Sequence, residues 1–217
     1  MINYFKDEGL VIGVKNFKES DGLVIFFGKN YGKIYGLVKN LKRSTKNISL
    51  FDQSHYLKIF AVSKNEKIKI ISGLILKELN ILEVNLKDWL WALKLVNKIL
   101  PPLQPENQIF NLLLISSLIL KKPTINFKSW FGVKILYLNG ILEKNPRCQK
   151  CERKLDNSKK IYFSNNWYCP QCKKSGFYLK LDDFFLLKKL INSPKPIKVN
   201  RRIVLLVKNL IENFLNS

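Results

Sequence analysis

Four cysteines are the residues of this sequence whose type and spacing most directly imply chemistry. Cys148, Cys151, Cys169 and Cys172 all fall in the stretch "CQKCERKLDNSKKIYFSNNWYCPQC". Two residues separate the members of each pair, and 17 separate the pairs. A C-x2-C knuckle turns tightly enough for both thiolates to reach one ion about 2.3 Å away, and two knuckles complete a tetrahedron. The spacing therefore points to a structural Zn2+ held by all four sulfurs. Four thiolates leave no position open for water or substrate, which argues against a hydrolytic centre. Disulfides fit poorly with an N-terminus, "MINYFKDEGL", that has no apolar signal run and already contains Asp7 and Glu8. A redox dithiol would need only one of the two pairs. Lys150, Lys154, Lys173 and Lys174 lie beside the knuckles and offset the charge of the thiolates.

No catalytic constellation accompanies the cysteines. The single histidine, His55, begins an apparent strand and reads as a hydrogen-bonded structural imidazole. Asp182 and Asp183 open a helix, where capping and the helix dipole account for both. The stretch "GKNYGK" (28–33) lacks the G-K-[ST] ending of a phosphate loop, and no dinucleotide fingerprint occurs. The expectation is a protein that binds and is not an enzyme.

Charge indicates what it binds. The chain carries 38 Lys+Arg against 16 Asp+Glu, a formal net charge of +22. Such a surplus raises affinity for polyphosphates or anionic surfaces. It is spread along the whole chain, as a general preference for Lys would also produce, so local clustering carries more information than the total. From Gly22 to Phe51 there are six cations and no carboxylate. Within "GLVKNLKRSTKNISLF", Lys39, Lys42, Arg43 and Lys46 occupy four of eight consecutive positions, with Lys29 and Lys33 upstream. Tyr31, Tyr35, Phe51 and Tyr56 lie close by in sequence. Cationic grooves flanked by stacking aromatics hold single strands. Lys33, Tyr35, Lys39, Lys42, Arg43 and Lys46 are accordingly the candidate nucleic-acid contacts; the plain alternative is a solvated loop.

The elements that must position these residues change type near residue 79. Segments 10–17, 23–29, 33–40, 55–62 and 67–76 are short, β-branched and aromatic, with turns such as "ESDG" and "SKNEK" between them. Five such strands with one longer excursion suit a small barrel of the OB-fold type, although the count also fits an SH3-like barrel. Helical periodicity follows over 86–100, 105–122, 127–142, 181–191 and 200–215. The all-round apolar stretch 109–120 reads as the centre of a helical bundle and is too short to span a bilayer. The expected fold is α+β: an N-terminal five-stranded OB-fold β-barrel over 1–78, then an α-helical domain over 79–217 with an inserted four-cysteine zinc module at 146–178. Metal loss is expected to disorder that module alone. A cytoplasmic protein with no membrane association is expected.

The segment "EGLVIGVKNFKESDGLVIFFGKNYGKIYGLVKNLKRSTKN" (8–47), then "LPPLQPENQIFNLLL", "GILEKNPRCQKC" and "FSNNWYCPQC", resembles the bacterial RecO family of DNA repair proteins over essentially the whole chain. The resemblance implies an OB-fold, a helical domain and a zinc module that some members lack. It also implies a non-enzymatic recombination mediator that binds single- and double-stranded DNA and anneals complementary strands. With RecR, such a protein assists RecA loading on strands coated by single-stranded DNA-binding protein (SSB), docking that protein's C-terminal tail. The basic loop carries over as Lys39, Lys42 and Arg43. A departure is "SNNWYC", where many members have a Gly-Gly pair, which bears on the local turn and not on the ligands. The competing reading is a zinc-ribbon RNA-binding or translation-associated protein, since a basic barrel beside a four-thiolate site also suits structured RNA.

Overall fold

The computed structural model describes residues 2–65, 67–155, 160–164, 166–173 and 177–216; Lys174 lies outside them. Two compact units make up the chain, 1–123 and 124–217.

The first unit is built on β1 (Ile2–Phe17), β2 (Asp21–Gly28), β3 (Gly32–Val38), β4 (His55–Lys64) and β5 (Lys67–Glu78). Their order around a closed barrel is β1-β2-β3-β5-β4. β3 and β5 run parallel, with Leu37 beside Lys69, whereas every other pair is antiparallel. Closure with this order is the OB-fold, and it settles the barrel type that strand counting left open. β1 is longer than its apolar core 10–17 implies. Its first half, Ile2–Leu10, pairs with β4, and its second half, from Gly9, pairs with β2. A polar strand end is stabilised here by ladder hydrogen bonds on the neighbour, a partner the local pattern does not encode.

Alternation places Val11, Val24, Phe26, Ile34, Leu57, Ile59 and Ile70 inside the barrel. The excursion after β3, expected to be a loop, contains a short helix, α1 (Thr45–Leu50). Ser44 caps it, its hydroxyl accepting the Asn47 N–H at 3.2 Å. Leu50 and Phe51 then close the barrel core.

The compact unit extends beyond the barrel, to Pro123, because α2 (Leu86–Ile99) and α3 (Asn107–Ile119) pack on it. The indole of Trp89 on α2 is fully buried and donates to the Gln53 carbonyl at 2.9 Å. Phe110 on α3 meets Phe27 edge-on at 5.4 Å and Tyr56 at 6.4 Å. The expectation that 109–120 forms the centre of a bundle is thus corrected. This helix covers the barrel wall, with Ile115 and Leu118 about half exposed. Hydropathy set its burial requirement without naming the surface that would meet it.

The second unit packs α4 (Phe127–Leu138), α5 (Leu181–Asn192) and α6 (Arg201–Asn216) around a shared core. At Gly132 an added Cβ would lie 2.5 Å from the Ile211 side chain, so the glycine permits close approach of α4 and α6. Trp130 donates to the Ser193 carbonyl at 3.0 Å. The cysteine segment lies between α4 and α5 and carries a three-stranded sheet, β6 (Lys160–Ser164), β7 (Asn166–Tyr168) and β8 (Phe177–Lys180), in the order β7-β6-β8. Among the described residues, no helix is long and apolar enough to cross a membrane.

Candidate metal centre and nucleic-acid interface

Each cysteine pair is shaped by its own backbone turn. In the first knuckle the Glu152 N–H donates to the Cys148 carbonyl at 2.8 Å, with Glu152 itself at a φ of +57°. In the second, the N–H groups of Cys172 and Lys173 both reach the Cys169 carbonyl at 3.1 Å. Gln149 N–H donates to the Trp167 carbonyl at 2.8 Å, which joins the first knuckle to the strand leading into the second. The four sulfurs consequently lie within 4.8 Å of one another. Cys151 Sγ is 3.8 Å from Cys169 Sγ. A tetrahedron with metal–sulfur bonds of 2.3 Å has edges of about 3.8 Å, so the donor set fits a tetrahedral ion.

The electrostatics of the cluster agree with this. Burial raises the Cys148 thiol, but backbone hydrogen bonds from Cys169, Cys151 and Lys150 outweigh it and bring it down to about 6. Cys169 is lowered in the same way, with burial opposed by hydrogen bonds from Cys172 and Gln171. Cys172 is pushed up to about 12 by its hydrogen bonds to the sulfurs of Cys169 and Cys151. Backbone N–H groups thus favour thiolate at the two buried positions. A cation is what would let the remaining sulfurs ionise beside them.

The candidate nucleic-acid residues separate into two groups. Lys39, Lys42, Arg43 and Lys46 are all exposed at one end of the barrel, on the stretch from the end of β3 into α1. Buried Leu41 anchors this stretch, seated over Gly22 where a Cβ would come within 2.1 Å of it. Lys42 donates to the Lys18 carbonyl at 3.2 Å. Lys33 belongs to the other group. It is buried, and its ammonium donates to the Asn97 carbonyl on α2 at 2.9 Å. The segment after α2 also crosses β3 there: the Leu103 N–H donates to the Lys33 carbonyl at 2.9 Å. Tyr35 is about one-third exposed, its ring 5.6 Å from the Lys33 ammonium.

The other aromatics near the loop serve the fold. Phe51 is buried in the barrel, and Tyr31 packs on Phe5 at 4.7 Å. Tyr56 packs on Phe110, and burial raises its hydroxyl pKa, helped by the neighbouring Glu8 carboxylate. His55 is buried with Nδ1 3.3 Å from the Leu50 carbonyl, consistent with the structural role expected for it. Asp183 caps α5 by accepting the Lys180 N–H at 3.2 Å, and it pairs with Arg202 at 2.9 Å.

Two residues escaped the sequence reading. Lys69 joins Lys39, Asn47 and Ser72 around a cleft of about 180 Å3 because β5 runs parallel to β3. The Asp7 carboxylate, buried, accepts the Asn30 N–H at 3.1 Å and the Tyr31 N–H at 3.0 Å and so holds the β2–β3 turn. No local signal marks either partnership, since Lys39 and Asn47 lie more than 20 residues from Lys69, and Asn30 and Tyr31 more than 20 from Asp7.

A closed OB-fold barrel with a basic loop at one end, in a chain that also brings four cysteine sulfurs within reach of one ion, defines a class of basic OB-fold proteins with a four-cysteine cluster. Residues 1–79 match the family model described as "Recombination protein O N terminal". The chain is 29% identical over 181 residues to a DNA repair protein RecO of Caldicellulosiruptor bescii, covering 79% of this chain and 73% of that protein. It is 26% identical to the protein of the same name from Caldicellulosiruptor saccharolyticus, covering 81% and 75%. It is 24% identical to that of Alkaliphilus metalliredigens, covering 90% and 85%. The resemblance to the RecO family read from the sequence is borne out, in the barrel and across most of the chain.

Proposed function

We propose that this protein is a DNA-binding mediator of recombinational repair that works by holding and annealing strands, with no catalytic step of its own. The observation that carries the reading is the exposed cationic stretch Lys39–Lys46 on an OB barrel, within a window, Gly22–Phe51, that holds no carboxylate. The relatives' common name, DNA repair protein RecO, supports the same assignment.

The mechanism is electrostatic. Two DNA backbones repel, and a protein of net charge +22 neutralises phosphates on both at once. Each neutralised phosphate releases condensed counterions, so binding must weaken steeply with salt. The barrel loop positions the backbone through Lys39, Lys42, Arg43 and Lys46, with Lys69 beside them. RecR, the C-terminal tail of SSB and, through them, RecA are the partners this reading includes. Cys148, Cys151, Cys169 and Cys172 would hold structural Zn2+, whose chemistry is to fix the fold of the segment around it.

The test is annealing of two complementary oligonucleotides across a salt series. If about five phosphates are neutralised, affinity for duplex falls several hundred-fold between 50 and 200 mM salt. A nearly flat salt dependence, or preference for hairpin RNA over both forms of DNA, would overturn the reading.

A further inference from the structure

The three-stranded sheet of the cysteine module has two unlike faces. Ile161, Phe163, Trp167 and Leu179 are buried on one side. The pairing register brings Tyr162 opposite Tyr168 on one neighbour and opposite Tyr178 on the other. Since side chains alternate along a strand, the three tyrosines form a row across the face that the core does not use. Tyr162 and Tyr168 are partly exposed and Tyr178 is 36% exposed.

Cations lie over this row. Lys160 Nζ is 5.2 Å from the Tyr178 ring and Lys173 Nζ is 4.9 Å from the Tyr168 ring. Tyr162 and Tyr178 approach to 6.0 Å at an interplanar angle of 50°. Among the described residues of the three strands there is no carboxylate. Arg202 also lies 5.9 Å from Tyr178, but its charge is met by Asp183. Tyrosine is ordinary in strands. A cross-strand row of three, outside the core and bordered by lysines, is the arrangement by which small sheets stack unpaired bases and hold the adjoining phosphates.

We propose that the outer face of β6, β7 and β8 binds single-stranded DNA, with Tyr162, Tyr168 and Tyr178 stacking two or three bases and Lys160 and Lys173 on the phosphates. The row spans about 10 Å across three strands, room for that number of bases. A base that stacks takes the ring face now held by an ammonium, and the ammonium moves to the phosphate beside it. This rests on the DNA-binding reading above and deepens it. The cysteine module then presents unpaired bases, while the barrel loop supplies sequence-independent charge.

The test compares the full chain with Y162A/Y178A and Y162F/Y178F for binding of a fluorescent oligo-dT and of a duplex of the same length. The alanine pair is expected to weaken oligo-dT by about five-fold or more and leave the duplex unchanged, and the phenylalanine pair to bind like wild type. Equal affinity of the alanine pair and wild type for oligo-dT overturns the proposal, as does equal weakening of single strand and duplex. Loss of binding to an Asp-rich peptide but not to oligo-dT would give the face to a protein partner and overturn it too. If the alanine pair does not fold, photocrosslinking of wild type to 5-iododeoxyuridine oligonucleotides decides. Adducts at these tyrosines support the site, and their absence with adducts elsewhere removes it. A wild type that binds no DNA would instead defeat the broader reading. Binding that is lost in K42A/R43A but unaffected in Y162A/Y178A would defeat this inference alone.

Discussion

The ammonium of Lys33 lies 2.9 Å from the carbonyl oxygen of Asn97, a hydrogen bond from barrel strand β3 to the last turn of α2. Asn97 is one of the residues whose carbonyl has no partner within its own helix end, so the lysine satisfies an acceptor and favours the negative end of the helix dipole at once. Lys33→Ala is therefore expected to lower stability by about 1–3 kcal/mol, the range for a charged hydrogen bond broken at a buried site. Thermal or urea denaturation measures it. A variant as stable as wild type that binds DNA several-fold more weakly would contradict this assignment.

Asp7 does for the β2–β3 turn what Lys33 does for α2. Its carboxylate also accepts the Glu8 N–H at 2.8 Å and the Asn30 side-chain amide at 2.9 Å. Asp7→Ala leaves donors of the turn without an acceptor, and a loss of about 2–3 kcal/mol is expected. Amide exchange at Asn30 and Tyr31 should accelerate more than exchange at Val24 or Phe26 in the same strand pair. Uniform acceleration across the barrel would argue against a local role.

Lys42 and Arg43 are exposed, and the Lys42 side chain donates to a surface carbonyl. K42A/R43A is expected to weaken single- and double-stranded DNA alike, by about 1–3 kcal/mol, and to reduce the salt slope by about 1 to 2. Melting temperature should not change. Unchanged affinity would remove the loop from the interface.

Metal removal is expected to act locally. Cys148→Ser, or chelation of the purified protein, should abolish binding of one Zn2+ per chain and open tryptic cleavage after Lys150, Arg153 and Lys154. Residues 1–123 form a compact unit whose core includes none of the cysteines, so they should remain resistant. A single cooperative loss of the whole protein on chelation would show that the metal holds more than its own module.

Much of this architecture was legible before any coordinates. Apolar alternation fixed the five strands, and Pro101-Pro102 marked the end of α2. The 3.6-residue period puts Ile203, Leu206, Val207, Leu210, Ile211 and Phe214 on one face of α6, and the first five of them are buried. The two C-x2-C knuckles predicted a cluster because each is closed by backbone within a few residues. All these signals are short in range, and they survive because a turn, a helix face or a strand is specified by its own neighbours.

Long-range pairing was not legible in this way. Lys33 and Lys42 look alike in sequence. Only the crossing of the segment after α2 buries one and leaves the other in water. Lys69 becomes a neighbour of Lys39 because β5 lies parallel to β3, a choice made by barrel closure. The tyrosines at 162, 168 and 178 form a row only once three strands are in register. The sequence by itself determined the barrel strands, the five longer helices, the excess of positive charge and the two cysteine knuckles. Tertiary structure decided which cations and which aromatics are exposed. The reason is that exposure belongs to a residue's spatial neighbours, and those are set by the closure of the whole chain.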